Sequence, residues 1–389
     1  MTKSGRFTPP PQQTVIYGTP MAQALEAELE RLGARRVVLV TNSSLARPGG
    51  LADRVFAALG SRVVARVTGV AAHSPRDDVI RIASALREHR ADAVIGFGGG
   101  SVCDAIKVAR LCLANDVTTS DDITRLRAPD PRTNSPSVPF IAIPTTLSAG
   151  EFTCYAGVTD ERIQRKELFW QAQAAPTIVI LDAAMTIATP PRLWSGTGIR
   201  AVDHAVETWC SINVTPMVEA TSLHALRLLV PALRACQVDA AALGPRLDAL
   251  IGAWLSVQGV ATGVDLGASH GIGHMLGGTA GMPHGETSCV MLPHVLRFNR
   301  AVNAERQASL ATAMGNPGED AADIVQALVA SLDLPGRLRD ADVPRELLPR
   351  IADESMHDLW IPTNPRPITK SSEVLAVLEA AWLWRARSS

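Results

Sequence analysis

The chain has 389 residues, 47% of them apolar, which is enough to bury a large core and long enough for two domains. A formal net charge of -1 leaves no basic surface for nucleic acid or an anionic membrane, so a small molecule is the expected partner. Six cysteines without a C-x-x-C pair, a start without an apolar leader and no long apolar run read as a reduced cytoplasmic chain that spans no membrane.

After a proline-rich tail (Pro9, Pro10, Pro11), T-V-I-Y-G reads as a strand and M-A-Q-A-L-E-A-E-L-E-R-L-G as an amphipathic helix stopped by Gly33. An apolar strand at 37–41, a helix at 51–59, the strand R-V-V-A-R-V, a helix near 77–89 and a strand at 93–96 follow. The polar stretch 115–138, with Asp121, Asp122 and prolines from Pro129 to Pro136, reads as a surface loop, and F-I-A-I-P and I-V-I-L-D as two further buried strands. Such alternation predicts a Rossmann-like α/β domain with a parallel sheet. From Arg192 onward only helical stripes appear. The expectation is an α/β nucleotide-binding domain over 1–188 and an all-α catalytic domain over 189–389. The boundary falls within 186–192, and the cleft between the halves is the expected binding site.

Gly98, Gly99, Gly100 and Ser101 follow a buried strand and open a helix, with Asp104 in its first turn and Lys107 one turn on. Glycines there let backbone N–H groups approach a pyrophosphate at a helix N-terminus, whereas Ser101 and Asp104 equally fit a capping box. Thr145, Thr146 and Ser148 end another strand, at the edge where open parallel sheets bind ligands. The strand ending at Thr41 and Asn42 has no carboxylate for a ribose hydroxyl, so both NADH and NADPH are expected to be accepted. Lys166 by itself reads as a solvated charge.

Four of the nine histidines lie between Ser269 and His294. His270 and His274 are four apart and share a helix face; Gly277, Gly278 and Gly281 are expected to end that helix, and Pro283 to turn the chain before His284. Arg200 and His204 share a face of an earlier helix, making His204 the fourth member of the cluster, while Asp203 points off the direction of Glu207 and is left outside it. Converging imidazoles suit either a divalent metal or proton transfer near neutral pH.

Taken together, these segments resemble the iron-containing alcohol dehydrogenase superfamily, most closely its maleylacetate reductase branch. The resemblance is carried by G-G-G-S with Asp104 and Lys107, P-T-T with Glu151, Lys166, G-I-R-A-V-D-H-A-V-E, H-G-I-G-H-M-L-G-G-T-A-G-M-P-H-G-E-T with L-P-H, P-T-N-P-R-P-I and His73. It implies hydride transfer with NADH or NADPH, a cofactor site including Lys166, and a homodimer. Metal-dependent members resemble G-x-D-A-x-x-H-A-x-E, with the Asp ligating beside the histidines matching His204, His270 and His284. Here that Asp is Arg200, which stays protonated and cannot ligate a cation, so no catalytic metal is expected. The expected activity is reduction of a small oxo or unsaturated carboxylic acid, such as maleylacetate to 3-oxoadipate in aromatic degradation. Arg200 would hold the substrate carboxylate, His274 or His284 supply the proton, and His204 and His270 orient the substrate. Alternatives are a metal-dependent alcohol dehydrogenase and a non-redox lyase or cyclase on the same scaffold.

Overall fold

A computed structural model describes residues 8, 14–127, 133–163 and 165–383. The tail at Pro9, Pro10 and Pro11 and the loop prolines Pro129 and Pro131 lie outside the described residues. The chain divides after Thr189 into an α/β unit and a helical unit.

The α/β unit runs β1 (Thr14–Tyr17), α1 (Met21–Leu32), β2 (Val37–Thr41), α2 (Leu51–Leu59), β3 (Val63–Val67), α3 (Arg76–Glu88), β4 (Ala93–Gly98), α4 (Gly100–Ala114), β5 (Phe140–Pro144), β6 (Tyr155–Asp160), β7 (Arg165–Trp170) and β8 (Ile178–Leu181). Six strands form one parallel sheet in the order β1-β8-β5-β4-β2-β3. Strands β2, β4, β5 and β8 are buried along their whole length, which is why they read as unbroken apolar runs. At Gly33, φ of 65° gives the left-handed cap that stops α1.

The sequence reading did not anticipate the antiparallel hairpin of β6 and β7, which pairs Tyr155 with Trp170 and Asp160 with Arg165. Strand β7 alternates exposed Arg165, Lys166 and Leu168 with buried Glu167 and Phe169, and the buried charge hides the alternation. Arg76 compensates Glu167 by a buried ion pair, aided by Arg127 at 3.2 Å. The polar loop also has a short 3-10 turn over Asp122–Leu126 that buries Ile123 and Leu126.

The helical unit comprises α5 (Pro191–Cys210), α6 (Pro216–Val238), α7 (Leu243–Ser256), α8 (Gln258–Ala261), α9 (Ala268–Ala280), α10 (His284–Ala313), α11 (Ala321–Ser331), α12 (Leu348–Ser355) and α13 (Ser371–Leu383). Pro190 and Pro191 start α5 where the missing N–H costs nothing. Helices α5 and α10 meet at bare backbone: a Cβ on Gly285 would lie 2.7 Å from the carbonyl carbon of Gly196. Helix α10 bends at Asn303, whose φ of -139° breaks the helical geometry. Ile272, Leu276, Val290, Met291, Ile351, Ile361 and Leu378 belong to one apolar core around α9.

Candidate active site

In the α/β unit, Gly99 caps α4 in an extended conformation, and no side chain closes that helix end. The Val102 N–H turns back to the Gly99 carbonyl, and the N–H groups of Gly100 and Ser101 are left available to an anion. The glycines are steric requirements: a Cβ at Gly98 would lie 2.6 Å from Val102 and one at Gly99 2.9 Å from Thr146. Thr146 and Ser148 stand beside this end, their hydroxyls 3.3 Å apart, and Thr145 is anchored by its N–H to the Gly98 carbonyl. This backbone cradle, flanked by hydroxyls, suits a dinucleotide pyrophosphate.

One expectation changes here. Ser101 and Asp104 form no capping box: the Ser101 hydroxyl accepts from the His73 N–H at 3.0 Å, and Asp104 accepts from the Gly157 N–H at 3.0 Å, tying α4 to the hairpin. Lys107 is fully buried and donates to the carbonyls of Gly150 and Tyr155, so it is a structural cation. Asn42 turns its side-chain oxygen to the Ser44 hydroxyl and the Leu45 N–H, shaping the loop after β2. Lys166 is exposed on β7, and its electrostatic influence, after partial burial, lowers His73 below the usual imidazole range.

In the helical unit, α5 and α9 bring the charged cluster together. Arg200, His204 and Glu207 line one face of α5, and all are more than nine-tenths buried. His204 stacks on His270 with ring centroids 5.0 Å apart; His274 stacks on His284 at 5.6 Å. Gly281, with φ of 67°, ends α9, but Gly277 and Gly278 lie inside it, contrary to expectation. A side chain at Gly277 would crowd the His284 ring, since its Cβ would lie 3.3 Å from Nδ1.

Glu207 accepts the N–H groups of Gly267, Ser269 and His270, and Asn364 accepts that of Ala268. The open N–H groups of α9 are thus consumed internally. The same Glu207 lies 2.8 Å from Nδ1 of His270, fixing that ring. The N-P-R-P segment contributes through Asn364, and Arg366 packs over Phe298, 4.1 Å from the ring centroid.

Asp203, left outside the cluster by the sequence reading, belongs to it. It is fully buried, accepts from the hydroxyls of Ser269 and Ser288 at 2.9 and 2.6 Å, and approaches His270 Nδ1 at 3.4 Å. Ser288 in turn accepts from Arg200 at 3.1 Å, the one hydrogen bond of that guanidinium among the described residues. The remaining donors of the Arg200 fork have no protein acceptor there. A further residue missed in the sequence is Asp358, whose carboxylate lies 2.9 Å from Nδ1 of His274.

Burial, reinforced by Arg200, pushes His204 down to about 3 and holds His270 well below the ordinary imidazole range. Burial raises both Asp203 and Glu207, and Asp203 adds to the rise at Glu207, while Arg200 and two serine hydroxyls pull Asp203 back. Asp203, Glu207 and His270 bring ligand-type atoms within 4.8 Å. Asp203 Oδ2 and the Glu207 oxygens accept from hydroxyls, backbone and His270, with the Arg200 guanidinium nearby, while Asp203 Oδ1 and His270 Nε2 are buried without a partner among the described residues. A divalent ion placed there would face the positive charge of Arg200.

Residues 11–183 match the model of iron-containing alcohol dehydrogenase, and 195–382 that of the Fe-containing alcohol dehydrogenase family, C-terminal. Dehydrogenase FUM7 of Gibberella moniliformis is 32% identical over 94% of this chain and 96% of its own. Maleylacetate reductase 1 of Cupriavidus pinatubonensis is 29% identical over 91% of each chain. The solved maleylacetate reductase of Rhizobium sp. superposes with a TM-score of 0.83 at 25% identity, covering 98% of this chain and 99% of that one. With both halves matched and a relative above 30% identity along nearly its whole length, the chain belongs to the iron-containing alcohol dehydrogenase family of oxidoreductases.

Proposed function

We propose that the protein is a metal-independent, NAD(P)H-dependent reductase of a small oxo or unsaturated carboxylic acid, of the maleylacetate reductase kind. One observation carries the reading: Arg200, buried near His204 and His270, keeps most of its donors free of acceptors among the described residues. A buried guanidinium fork matches a carboxylate in two parallel hydrogen bonds.

The open end of α4, with Thr146 and Ser148, would hold the cofactor pyrophosphate, and the bound reduced nicotinamide supplies the hydride. Arg200 binds the anionic end of the substrate and polarises it, its direction set by Ser288 and Asp203. His270, held through Nδ1 by Glu207 and kept neutral by burial, presents Nε2 as an acceptor. His204 packs on that ring and excludes water; His274 or His284 furnishes the proton.

The test is NAD(P)H oxidation by metal-stripped protein offered maleylacetate, other oxo-acids and simple aldehydes. Turnover of an oxo-acid, unaffected by zinc or iron, is expected; turnover of aldehydes alone, restored only by metal, would overturn the reading. Arg200→Asp is expected to lower oxo-acid turnover by about 100-fold or more, from the lost charge pairing. Retained activity with bound metal would favour the second reading, a metal-dependent alcohol dehydrogenase, for which the close approach of Asp203, Glu207 and His270 speaks.

A further inference from the structure

We propose that Ser288 is a positioning residue that keeps Arg200 from pairing with Asp203, and that this spacing reserves the guanidinium for a substrate ending in a carboxylate. The inference deepens the reductase reading and rests on it, because that reading makes Arg200 the anion-binding group.

Arg200 and Asp203 stand three residues apart on α5, a spacing at which an arginine and an aspartate ordinarily meet on a helix. Both are buried, at 8% and 0% exposure, which strengthens a direct pair, and such a pair takes two N–H groups of the fork at once. Here one hydroxyl stands between them. Nη1 of Arg200 donates to Ser288 Oγ at 3.1 Å, and that hydroxyl donates to Asp203 Oδ2 at 2.6 Å. Among the described residues Arg200 makes no direct ion pair with Asp203.

A hydroxyl suits this place because it has one proton to give and lone pairs to receive. Ser288 spends its proton on the carboxylate and a lone pair on the guanidinium. The negative charge of Asp203 therefore still faces Arg200, while most of the fork stays uncommitted. Ser269 donates to the same Oδ2 at 2.9 Å and holds the carboxylate from a second side. Both serines are fully buried, so water does not compete for either hydroxyl.

The position of Ser288 comes from the packing of α10 on α9. A Cβ on Gly273 of α9 would lie 2.9 Å from Thr287 Oγ1 and 3.8 Å from Arg200 Nη1. That bare backbone lets α10 bring Ser288, the residue after Thr287, in against α5, and it leaves room beside the guanidinium. Without the hydroxyl, Arg200 turns onto the carboxylate, where a bidentate pair competes with the substrate for the same donors.

The experiment measures NAD(P)H-dependent turnover of maleylacetate by the unaltered protein, Ser288→Ala, Ser288→Cys, Asp203→Asn and the double variant Ser288→Ala with Asp203→Asn, after each is shown to be folded by circular dichroism. Ser288→Ala is expected to raise KM by about 10- to 100-fold, with kcat and NAD(P)H affinity changed by less than about threefold. Ser288→Cys, close in volume but with a weak S–H donor, should show the same loss, and it carries the test if the alanine variant does not fold. In the Asp203→Asn background no carboxylate competes for the guanidinium, so Ser288→Ala should change KM by less than about threefold. Independently of turnover, succinate, an unreactive dicarboxylate, should bind Ser288→Ala about 10- to 100-fold more weakly by isothermal titration. A crystal structure of that variant should show Arg200 on Asp203. Unchanged KM and succinate affinity in both serine variants, or an equal rise of KM with and without the Asp203 carboxylate, overturns the proposal and leaves the reductase reading standing. Absence of NAD(P)H oxidation by the unaltered protein with every oxo-acid overturns the reductase reading and the role of Ser288 with it.

Discussion

Two helix N-termini, both capped by glycine in an extended conformation, have opposite fates. At α4, Gly99 leaves the first-turn N–H groups without a side-chain partner. At α9, Gly267 begins a turn whose N–H groups are taken by Glu207 and Asn364. The same positive helix end is left without a side-chain cap in one unit and spent on an inside carboxylate in the other. The internal carboxylate then does a second task, holding His270. On the proposed function, binding would be built from backbone in the α/β unit, and chemistry from buried ionisable side chains in the helical unit.

The largest test of this contrast is Glu207→Ala, which strips three N–H groups and a histidine of their acceptor. Urea unfolding should show a loss of about 3–5 kcal/mol. A loss below about 1 kcal/mol would mean that α9 needs no internal anion.

A pH test comes next, because buried neutral histidines belong to the helical unit. Burial pushes His294 down to about 4, against about 6.5 when unfolded. Between these values the unfolded chain binds the extra proton, so stability is full above pH 6.5 and falls as pH drops toward 4, by up to about 3 kcal/mol. His204 acts in the same direction; the raised carboxyls of Asp203 and Glu207 act against it. His294→Gln should flatten the acid side of a thermal-denaturation pH profile, and an unchanged slope would place the sensitivity elsewhere.

The smallest test is Gly99→Val, which would bring a side chain onto Thr146. NADH and NADPH should bind about tenfold or more weakly by fluorescence titration, with the fold intact. Unchanged affinity would show that the open end of α4 is not used.

The sheet was legible because its central strands are buried on both faces, and the glycine turn because it follows one of them. The hairpin was not, since Glu167 interrupts an apolar pattern and only distant arginines, Arg76 and Arg127, explain its burial. Arg200 stood out as a substitution within a recognisable helix. Asp203 did not, because its role depends on Ser269 and Ser288 arriving from other helices. Asp358 and Asn364 reach the site from a loop late in the chain, a distance that local spacing cannot register.

The glycine contact between α5 and α10 bears on how this site could change. Gly285 follows His284 directly, and Gly196 lies one turn before Arg200, so the separation of those two side chains depends on how closely the helices cross. An alanine at position 285, whose Cβ would lie 2.7 Å from the Gly196 carbonyl carbon, would act as a spacer between the helices while every ionisable group kept its identity. Substrate size is thereby tunable apart from reaction chemistry.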